Sequence, residues 1–444
     1  MNKFSNNECP YIEDNSSGIE SKILSANSLP MGGEISRRHI IDLLATLGSG
    51  VCLSSMLGGC GTENDPLASS GSSSDSFSNE LDEPVRVGYL PIIDSVPLIL
   101  AHALGYFEEE GMKTVKPTLI RGWSPLVESF IAKKVNLCHL LIPIPFWMRY
   151  NNNYKVKVMS WAHTNGSALV VGKHTGAKEF KDLGGKQIAI PYYYSMHNIV
   201  LQMGLREAGL KAVIKDQASA LNSDEVNLIV MPPPEMPPAL AAKKIDAFIV
   251  AEPFNAMGEL KAGGQIMRFT GDIWKNHPCC VVCMHEERTI EKIEWTQKAI
   301  NAVTRASIYA SKNKREVAEL ISRDGKGYLP MPASVVVRAM THYDVEDYLA
   351  TGANRNASEW KNGRIDFQPW PYPSATKFMV NAMEKTVVGG DKSFIDSLTA
   401  DKVAEDMVDY EYIKNSCEKY PEWKDDPSVS NSGNPYERNE IVRI

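Results

Sequence analysis

The side chains best suited to chemistry lie in one turn-rich stretch, Gly271 to Cys283, which holds a tryptophan, a histidine and three cysteines. Pro278 biases the backbone of His277 toward an extended conformation. The run that begins at Cys279 is small, apolar and bounded by charge, which is typical of a fully buried strand. We therefore expect a strand that begins beside Trp274 and His277 and lines a cleft.

These cysteines raise the question of a metal or redox site. Cys280 and Cys283 are three apart on the predicted strand, so their side chains leave opposite faces and cannot bind one ion together. Cys279 and Cys280 are adjacent, and a disulfide between neighbours requires a strained backbone. The sequence therefore favours small buried residues. It predicts no metal and no cofactor. Cys280 is the cysteine whose thiol could lie at the edge of the cleft.

Length and composition set the broad class of the protein. A chain of 444 residues is too long for one small core and predicts two lobes or domains with additional tails. The net charge is -7 and no basic patch stands out, so nucleic acid is not an expected partner. The eight cysteines are scattered, which argues against a disulfide scaffold and against a zinc module.

The N-terminal region resembles an export signal. Arg37 and Arg38 precede a weakly apolar run that closes with small residues and Cys60, as in a twin-arginine signal that ends in a lipoprotein box. The alternative, an amphipathic helix with a chance cysteine, ranks second. We therefore predict a signal peptide over residues 1–60, a lipid on Cys60, and a flexible Ser- and Gly-rich tether over residues 61–84.

From Val85 the chain alternates β-branched strands with helical segments, which indicates βαβ units. In such sheets ligands gather at the carboxyl ends of the strands. Polar and aromatic residues follow several predicted strands, at Leu90–Ser95, Arg121–Ser124, His163–Ser167, Tyr192–Asn198 and Glu252. The alternatives are helix capping for Asp94 and Glu252, and a plain polar turn for the segment after His163.

Several motifs, in their order along the chain, resemble those of the nitrate, sulfonate and bicarbonate (NitT/TauT) class of substrate-binding proteins of ABC importers. They are Val87–Ile92, Pro97–Ala101, Gly105–Met112, Gly122–Trp123, Pro143–Pro145, Val230–Pro233, Ile245–Phe248, Glu252–Phe254 and Ile273–Pro278. The resemblance extends from about Val85 to about Ala400. It implies an α/β, two-lobed periplasmic binding protein type II fold, with parallel-rich sheets flanked by helices and a cleft at the hinge.

The resemblance also implies how the chain divides. The first lobe would comprise residues 85–186 and 277–400, and the second lobe residues 187–276. Residues 401–444 would form a C-terminal tail, polar and loosely docked from about Tyr420. Ligand would bind between the lobes and favour their closed arrangement.

Ligand-binding residues follow from the resemblance and from position beside the cleft. They are Trp123, Thr164, Asn165, Ser167, Tyr193, His197, Glu252, Trp274, His277 and Cys280. At the position of Cys280 nitrate binders of the class carry lysine and bicarbonate binders carry glutamate. A buried inorganic anion needs a charge partner or several donors. The missing lysine therefore makes nitrate less favoured here, and a small organic ligand such as a sulfonate or a heteroaromatic compound becomes competitive.

The function implied is that of a lipid-anchored solute-binding protein, not an enzyme, in the periplasm or on the outer face of the cytoplasmic membrane. It would capture a small anion or organic solute and deliver it to an ABC permease and its ATPase. Two alternatives stay open. One is an enzyme of the same fold, of the pyrimidine-synthase or menaquinone-pathway type, and the other is a tethered ligand sensor.

Overall fold

The computed structural model describes residues 79–358, 363–429 and 433–444. The predicted signal peptide, the lipid at Cys60 and the tether up to residue 78 lie outside these ranges. Apart from Gly389–Asp391, the described residues belong to one compact unit, which comprises Ser69–Val388 and Lys392–Ile444. None of the helices in the described ranges has both the length and the apolar character that a membrane-spanning segment needs.

The strands of the described chain are short and mostly buried. They are β1 (Val87–Tyr89), β2 (Thr118–Leu119), β3 (Leu137–Leu141), β4 (Val156–Trp161), β5 (Thr164–Asn165), β6 (Ser167–Gly172), β7 (Gln187–Ile190), β8 (Lys211–Val213), β9 (Glu225–Val230), β10 (Ala247–Ala251), β11 (Gly264–Phe269), β12 (Cys280–His285) and β13 (Ile365–Asp366).

Helices connect these strands and cover the sheets. They are α1 (Val96–Ala103), α2 (Tyr106–Glu109), α3 (Trp123–Ile131), α4 (Ile144–Phe146), α5 (Met196–Glu207), α6 (Met236–Ala241), α7 (Phe254–Lys261), α8 (Thr270–Ile273), α9 (Glu286–Glu291), α10 (Ile293–Lys312), α11 (Lys314–Ile321), α12 (Ala333–Thr341), α13 (Val345–Thr351), α14 (Pro373–Glu384), α15 (Ala400–Met407) and α16 (Tyr410–Lys419). Single 3-10 turns lie between them, among them Ile93–Ser95 after β1.

Two sheets organise the described chain. One has five strands in the order β2-β1-β3-β12-β4, and the other has six in the order β11-β6-β10-β7-β9-β8. Strand β1 pairs in parallel with β2 and β3, as expected of βαβ units. The predicted α/β class with parallel-rich sheets and flanking helices is confirmed.

Strand β12 returns the chain to the five-stranded sheet, where it pairs antiparallel with β3 and β4. All of its residues are buried. A strand covered on both faces needs a continuous apolar run, which explains why Cys280–His285 lacks the polar alternation of a half-exposed strand. The buried strand predicted at the cysteines is therefore present.

The first crossing between the sheets comes earlier than predicted. Residues 85–186 were assigned to one lobe, but β6 lies within that range and pairs with β10 and β11 of the six-stranded sheet. The chain thus leaves the five-stranded sheet after β4 and enters the other sheet at Ser167. The strand with which a buried apolar strand pairs depends on residues far away in the sequence, and the local residue pattern does not determine it.

The two ends of the folded part are docked more firmly than predicted. Within the predicted tether, Glu83 pairs with Arg288, and its carbonyl oxygen accepts a hydrogen bond from Trp295 Nε1 at 2.9 Å. The predicted C-terminal tail forms α15 and α16 and buries Trp423. Trp274 Nε1 donates to Glu440 at 2.7 Å. Polar composition indicated loose ends, but a few aromatic side chains anchor both segments.

Candidate functional site

Four side chains with metal-binding or nucleophilic atoms converge at one buried point: Asp94, His163, Cys279 and Cys280. One ligand atom from each lies within 4.8 Å of the others, and all four residues are fully buried. Asp94 lies in the turn after β1, His163 follows β4, Cys279 precedes β12, and Cys280 is its first residue. The cluster therefore forms where strands of the five-stranded sheet end, as expected for a ligand site in this architecture.

Backbone hydrogen bonds hold the segments of the cluster together. Ala162 N–H donates to the carbonyl oxygen of Cys280 at 2.9 Å, and Asn165 N–H donates to that of His277 at 3.0 Å. The loop that carries His163 is thereby fixed on both sides. Ile93 N–H donates to the carbonyl oxygen of Glu252 at 2.9 Å, which joins the Asp94 turn to the end of β10. Residues from both sheets therefore meet at this site.

The side-chain contacts form a continuous chain across the site. His163 Nε2 lies 2.8 Å from Asp94 Oδ2, and Cys279 Sγ lies 3.4 Å from the same oxygen. Cys279 Sγ is also 3.8 Å from His197 Nε2. Ser167 Oγ lies 2.9 Å from that nitrogen and 3.7 Å from Cys279 Sγ. Ser167 begins β6 and His197 lies on α5, so the six-stranded sheet supplies this side of the site.

Charge is concentrated in the cluster despite its burial. Burial disfavours the imidazolium of His163, but the charges of Asp94 and Cys279 outweigh that effect and raise its pKa to about 10. Burial also disfavours the Cys279 thiolate, yet a hydrogen bond from Cys280 and the charges of His197 and His163 bring its pKa well below the ordinary value. The pKa of Cys280 is raised by burial and by its neighbours Cys279 and Asp94. These shifts favour the charged forms of His163 and Cys279 beside the Asp94 carboxyl group.

Two buried N–H donors beside the site have no acceptor among the described residues. His139 Nε2 accepts a hydrogen bond from Leu90 N–H at 2.9 Å, so its proton is on Nδ1, which has no partner in the described chain. Burial lowers the pKa of His139 to about 3, which keeps the ring neutral. Trp123 Nε1 also lacks a partner, and its ring meets that of His139 edge-on with centroids 5.6 Å apart.

Other buried polar atoms around the cluster are also without hydrogen-bond partners among the described residues. They are Asp94 Oδ1, His163 Nδ1, Thr164 Oγ1, Asn165 Oδ1 and His197 Nδ1. Leaving one such atom unsatisfied costs about 1–3 kcal/mol, and folded proteins rarely leave several of them together. The arrangement indicates a site where a bound ligand supplies the missing hydrogen-bond partners.

The structure brings four of the sequence-predicted residues to this site or beside it. Cys280 belongs to the cluster, Ser167 and His197 contact Cys279, and Trp123 contacts His139. Thr164 and Asn165 directly follow His163 in the chain, and each carries an unpartnered oxygen. The roles of all six residues in ligand binding stay predictions.

Three of the predicted residues have their polar groups engaged elsewhere. Glu252 accepts from Arg364 Nε at 2.5 Å and from Ala256 N–H at 3.1 Å, which is the helix-capping alternative. Trp274 bonds to Glu440. His277 has Thr270 Oγ1 at 2.7 Å from Nε2 and its neighbouring carbonyl oxygen at 3.0 Å from Nδ1. Hydrogen-bond and ion-pair partners inside the folded core engage these three side chains. The sequence alone does not show those partners.

The role of Tyr193 in ligand binding also stays a prediction. It is partly buried, and its carbonyl oxygen accepts a hydrogen bond from Asn198 Nδ2 at 2.9 Å. That contact supports the entry to α5.

Sequence reasoning missed Asp94, His139, His163 and Cys279 as site residues. Asp94 was expected to cap a helix, yet its carboxyl group faces His163 and Cys279 instead. Its position just after the first strand was a usable signal, because ligands gather there. His163 opened a polar turn that was noticed, but His139 lies inside β3 and carries no such signal.

Comparisons with known proteins place the chain in a family. Residues 78–322, more than half of the chain, match the model of the NMT1-like family. The chain belongs to the NMT1-like family. It is 25% identical over 338 residues to the nitrate/nitrite binding protein NrtA of Nostoc sp., a match that covers 70% of this chain and 75% of that protein.

Two further comparisons bear on this NMT1-like chain. It is 26% identical over 260 residues to the nitrate import ATP-binding protein NrtC of Synechocystis sp., where the match covers 56% of this chain but only 37% of that protein. The crystal structure of the periplasmic nitrate-binding protein NrtA from Synechocystis PCC 6803 matches with a TM-score of 0.67 at 16% identity, covering 81% of this chain and 94% of that one. The predicted family resemblance and the predicted periplasmic-binding-protein fold are confirmed.

Proposed function

We propose that this protein is the solute-binding component of an ABC importer, which captures a small solute where its two sheets meet. The observation that carries the proposal is the pair of buried, unpartnered N–H donors on Trp123 and His139. Two such donors side by side favour a ligand that carries hydrogen-bond acceptors. A bound ligand of that kind would remove the free-energy cost of leaving the two N–H groups unpaired. The relatives, named as nitrate binding and import proteins, support the transport role.

The charges of the site favour an organic solute over nitrate. The positive charge favoured on His163 is already opposed by the Asp94 carboxyl group and by Cys279. Cys280 stands where a lysine would serve a nitrate ion. We therefore propose a small organic molecule whose acceptor atoms meet Trp123 and His139, with the sulfonate class first among those to test.

The site is closed in this arrangement, since the cluster residues have no exposed surface. A solute can enter only if the two sheets separate, which is the hinge motion of a two-lobed binding protein. A ligand that bridges Ser167 and His197 on one side and Trp123 on the other would favour the closed form over the open one.

We also propose an extracytoplasmic location with a lipid on Cys60, and delivery of the solute to a permease and its ATPase. The twin arginine and the closing cysteine support the anchor. The ring nitrogens of His277 contact the Thr270 hydroxyl group and the Pro278 carbonyl oxygen and not a thiol, which gives no support to His277 as the base of a cysteine nucleophile.

A ligand screen by thermal shift tests the proposal. The purified chain is exposed to nitrate, nitrite, bicarbonate, cyanate, alkyl and aryl sulfonates and thiamine-type pyrimidines. A ligand that binds only the native state raises the melting temperature by mass action. Absence of a shift with every compound would contradict a binding protein of this solute class.

Matched tryptophan variants then test the site. Trp123→Phe should weaken binding of the active compound by about tenfold or more, because one hydrogen bond to the ligand is lost. Trp295→Phe is the control, since it loses a buried hydrogen bond to the Glu83 carbonyl oxygen far along the chain. The control should lower stability and leave affinity unchanged. Equal affinities for wild type and Trp123→Phe would remove Trp123 from the site.

A further inference from the structure

We propose that Asp94, His163, Cys279 and Cys280 form a binding site for one divalent transition-metal ion such as Zn²⁺. The donor set is two sulfurs, one imidazole nitrogen and one carboxylate oxygen, all buried at one point. Zn²⁺ in proteins takes four ligands of these types in a tetrahedron. The proposal rests on this geometry and does not depend on which solute the protein carries.

The two adjacent cysteines can share an ion because they do not both lie in the strand. Cys280 is the first residue of β12 and pairs with Leu141, whereas Cys279 precedes the strand. The alternation that separates neighbouring side chains applies within a strand. Cys279 lies before the first residue of the strand, and both sulfurs reach the same point.

The separations between the donor atoms bracket those of a tetrahedral ion. Bonds of the usual Zn–S and Zn–N lengths place neighbouring ligand atoms roughly 3.3–3.8 Å apart. Cys279 Sγ and Asp94 Oδ2 are 3.4 Å apart, and no pair in the cluster exceeds 4.8 Å. Small shifts of side chains would complete the coordination.

The contact between His163 and Asp94 is shorter than that between Cys279 and Asp94. His163 Nε2 lies 2.8 Å from Asp94 Oδ2, which is the distance of an ion pair or hydrogen bond. A metal ion would replace this contact, with the imidazole losing its proton and the two donor atoms moving slightly apart.

The surroundings agree with the geometry. Binding forms two metal–sulfur bonds, one metal–nitrogen bond and one metal–oxygen bond, and releases one proton from each thiol or imidazolium that carried it. Ser167 Oγ donates toward Cys279 Sγ at 3.7 Å, which is the kind of outer contact that orients a metal ligand.

The test uses the full chain, treated with chelator and reductant and then titrated with Co²⁺, a spectroscopic substitute for Zn²⁺. We expect one equivalent to bind, with thiolate-to-cobalt charge-transfer absorption and the visible bands of a tetrahedral ion. Zn²⁺ added afterwards should abolish both. Wild-type protein that shows no charge-transfer absorption with Co²⁺ would overturn the proposal whatever the variants do.

Cysteine variants test which thiols bind the ion. Cys279→Ser and Cys280→Ser should each reduce the charge-transfer absorption and weaken Co²⁺ binding by about 100-fold or more. Cys283→Ser is the matched control, because Cys283 is equally buried on β12 but outside the cluster. It should bind Co²⁺ as the wild type does. His163→Gln keeps both sulfurs and should keep the charge-transfer absorption with weaker binding. Absorption that survives both cluster substitutions would refute the assignment.

Discussion

The buried ion pair between Glu252 and Arg364 allows a sharp prediction about stability. Arg364 is fully buried; its Nε lies 2.5 Å from Glu252 and a terminal nitrogen lies 2.8 Å from Glu259. Burial disfavours the charge of Arg364, but the two glutamates outweigh that effect and hold its pKa above the ordinary value. The pair joins the end of β10 to the residue before β13.

Glu252→Gln removes the charge and keeps the shape. Loss of one partner of a buried ion pair costs about 3–5 kcal/mol, because the other charge is left uncompensated. Glu259 still faces Arg364, and the glutamine oxygen can still accept from Ala256 N–H. We therefore expect the lower end, a loss of about 3 kcal/mol in the free energy of unfolding.

Urea unfolding of wild type and variant measures the loss. Glu235→Gln is the control, since Glu235 is exposed, and it should change stability by no more than about 0.5 kcal/mol. A loss below about 1 kcal/mol for Glu252→Gln would refute the claim that Arg364 depends on Glu252. Solute affinity, measured on the folded variant, should stay at the wild-type value. A large drop in solute affinity would show that Glu252 does contribute to ligand binding.

Three further predictions address pH, packing and the anchor. Burial lowers the pKa of His285 to about 4, so its stabilising contribution is complete above the unfolded-state pKa and is lost as pH falls toward 4. Between pH 7 and pH 5 the wild type should lose about 2 kcal/mol relative to His285→Gln in urea unfolding, and parallel pH profiles would contradict this. Gly204→Ala places a Cβ 2.3 Å from the ring of Phe180 and should lower the free energy of unfolding by about 1–3 kcal/mol. Phe180→Leu in the same chain should restore part of that loss, and no recovery would show that the ring is not the obstacle. Cys60→Ala should move the protein from the membrane fraction to the soluble fraction, and protein that stays lipid-anchored would exclude the lipoprotein box.

Much of the architecture was predictable because it depends on local pattern. Short apolar runs separated by turns predicted buried strands, and the run from Cys279 became β12. The motif order predicted the fold that the comparison with NrtA confirms. The lobe boundary was wrong because Ser167–Gly172 is an apolar strand whose sequence fits either sheet.

The candidate site was predictable only in part. Trp123, Ser167 and His197 were named from their places after strands or at a helix start, where ligands gather. Glu252 and His277 satisfied the same rule, yet partners elsewhere in the chain hold them. Position after a strand indicates that a side chain is near a site, and the competition for its hydrogen bonds decides whether it is available.

The sequence by itself determined the fold class, the order of the elements, the buried character of the cysteine strand and several of the residues that follow strands near the site. These depend on residue spacing and composition along a few consecutive residues. Only the tertiary structure decided that Asp94, His163, Cys279 and Cys280 share one point. They come from three segments far apart in the chain, and their meeting depends on strand pairing. Alternation within a strand separates adjacent cysteines, whereas Cys279 lies before the first residue of β12 and both sulfurs join the same cluster.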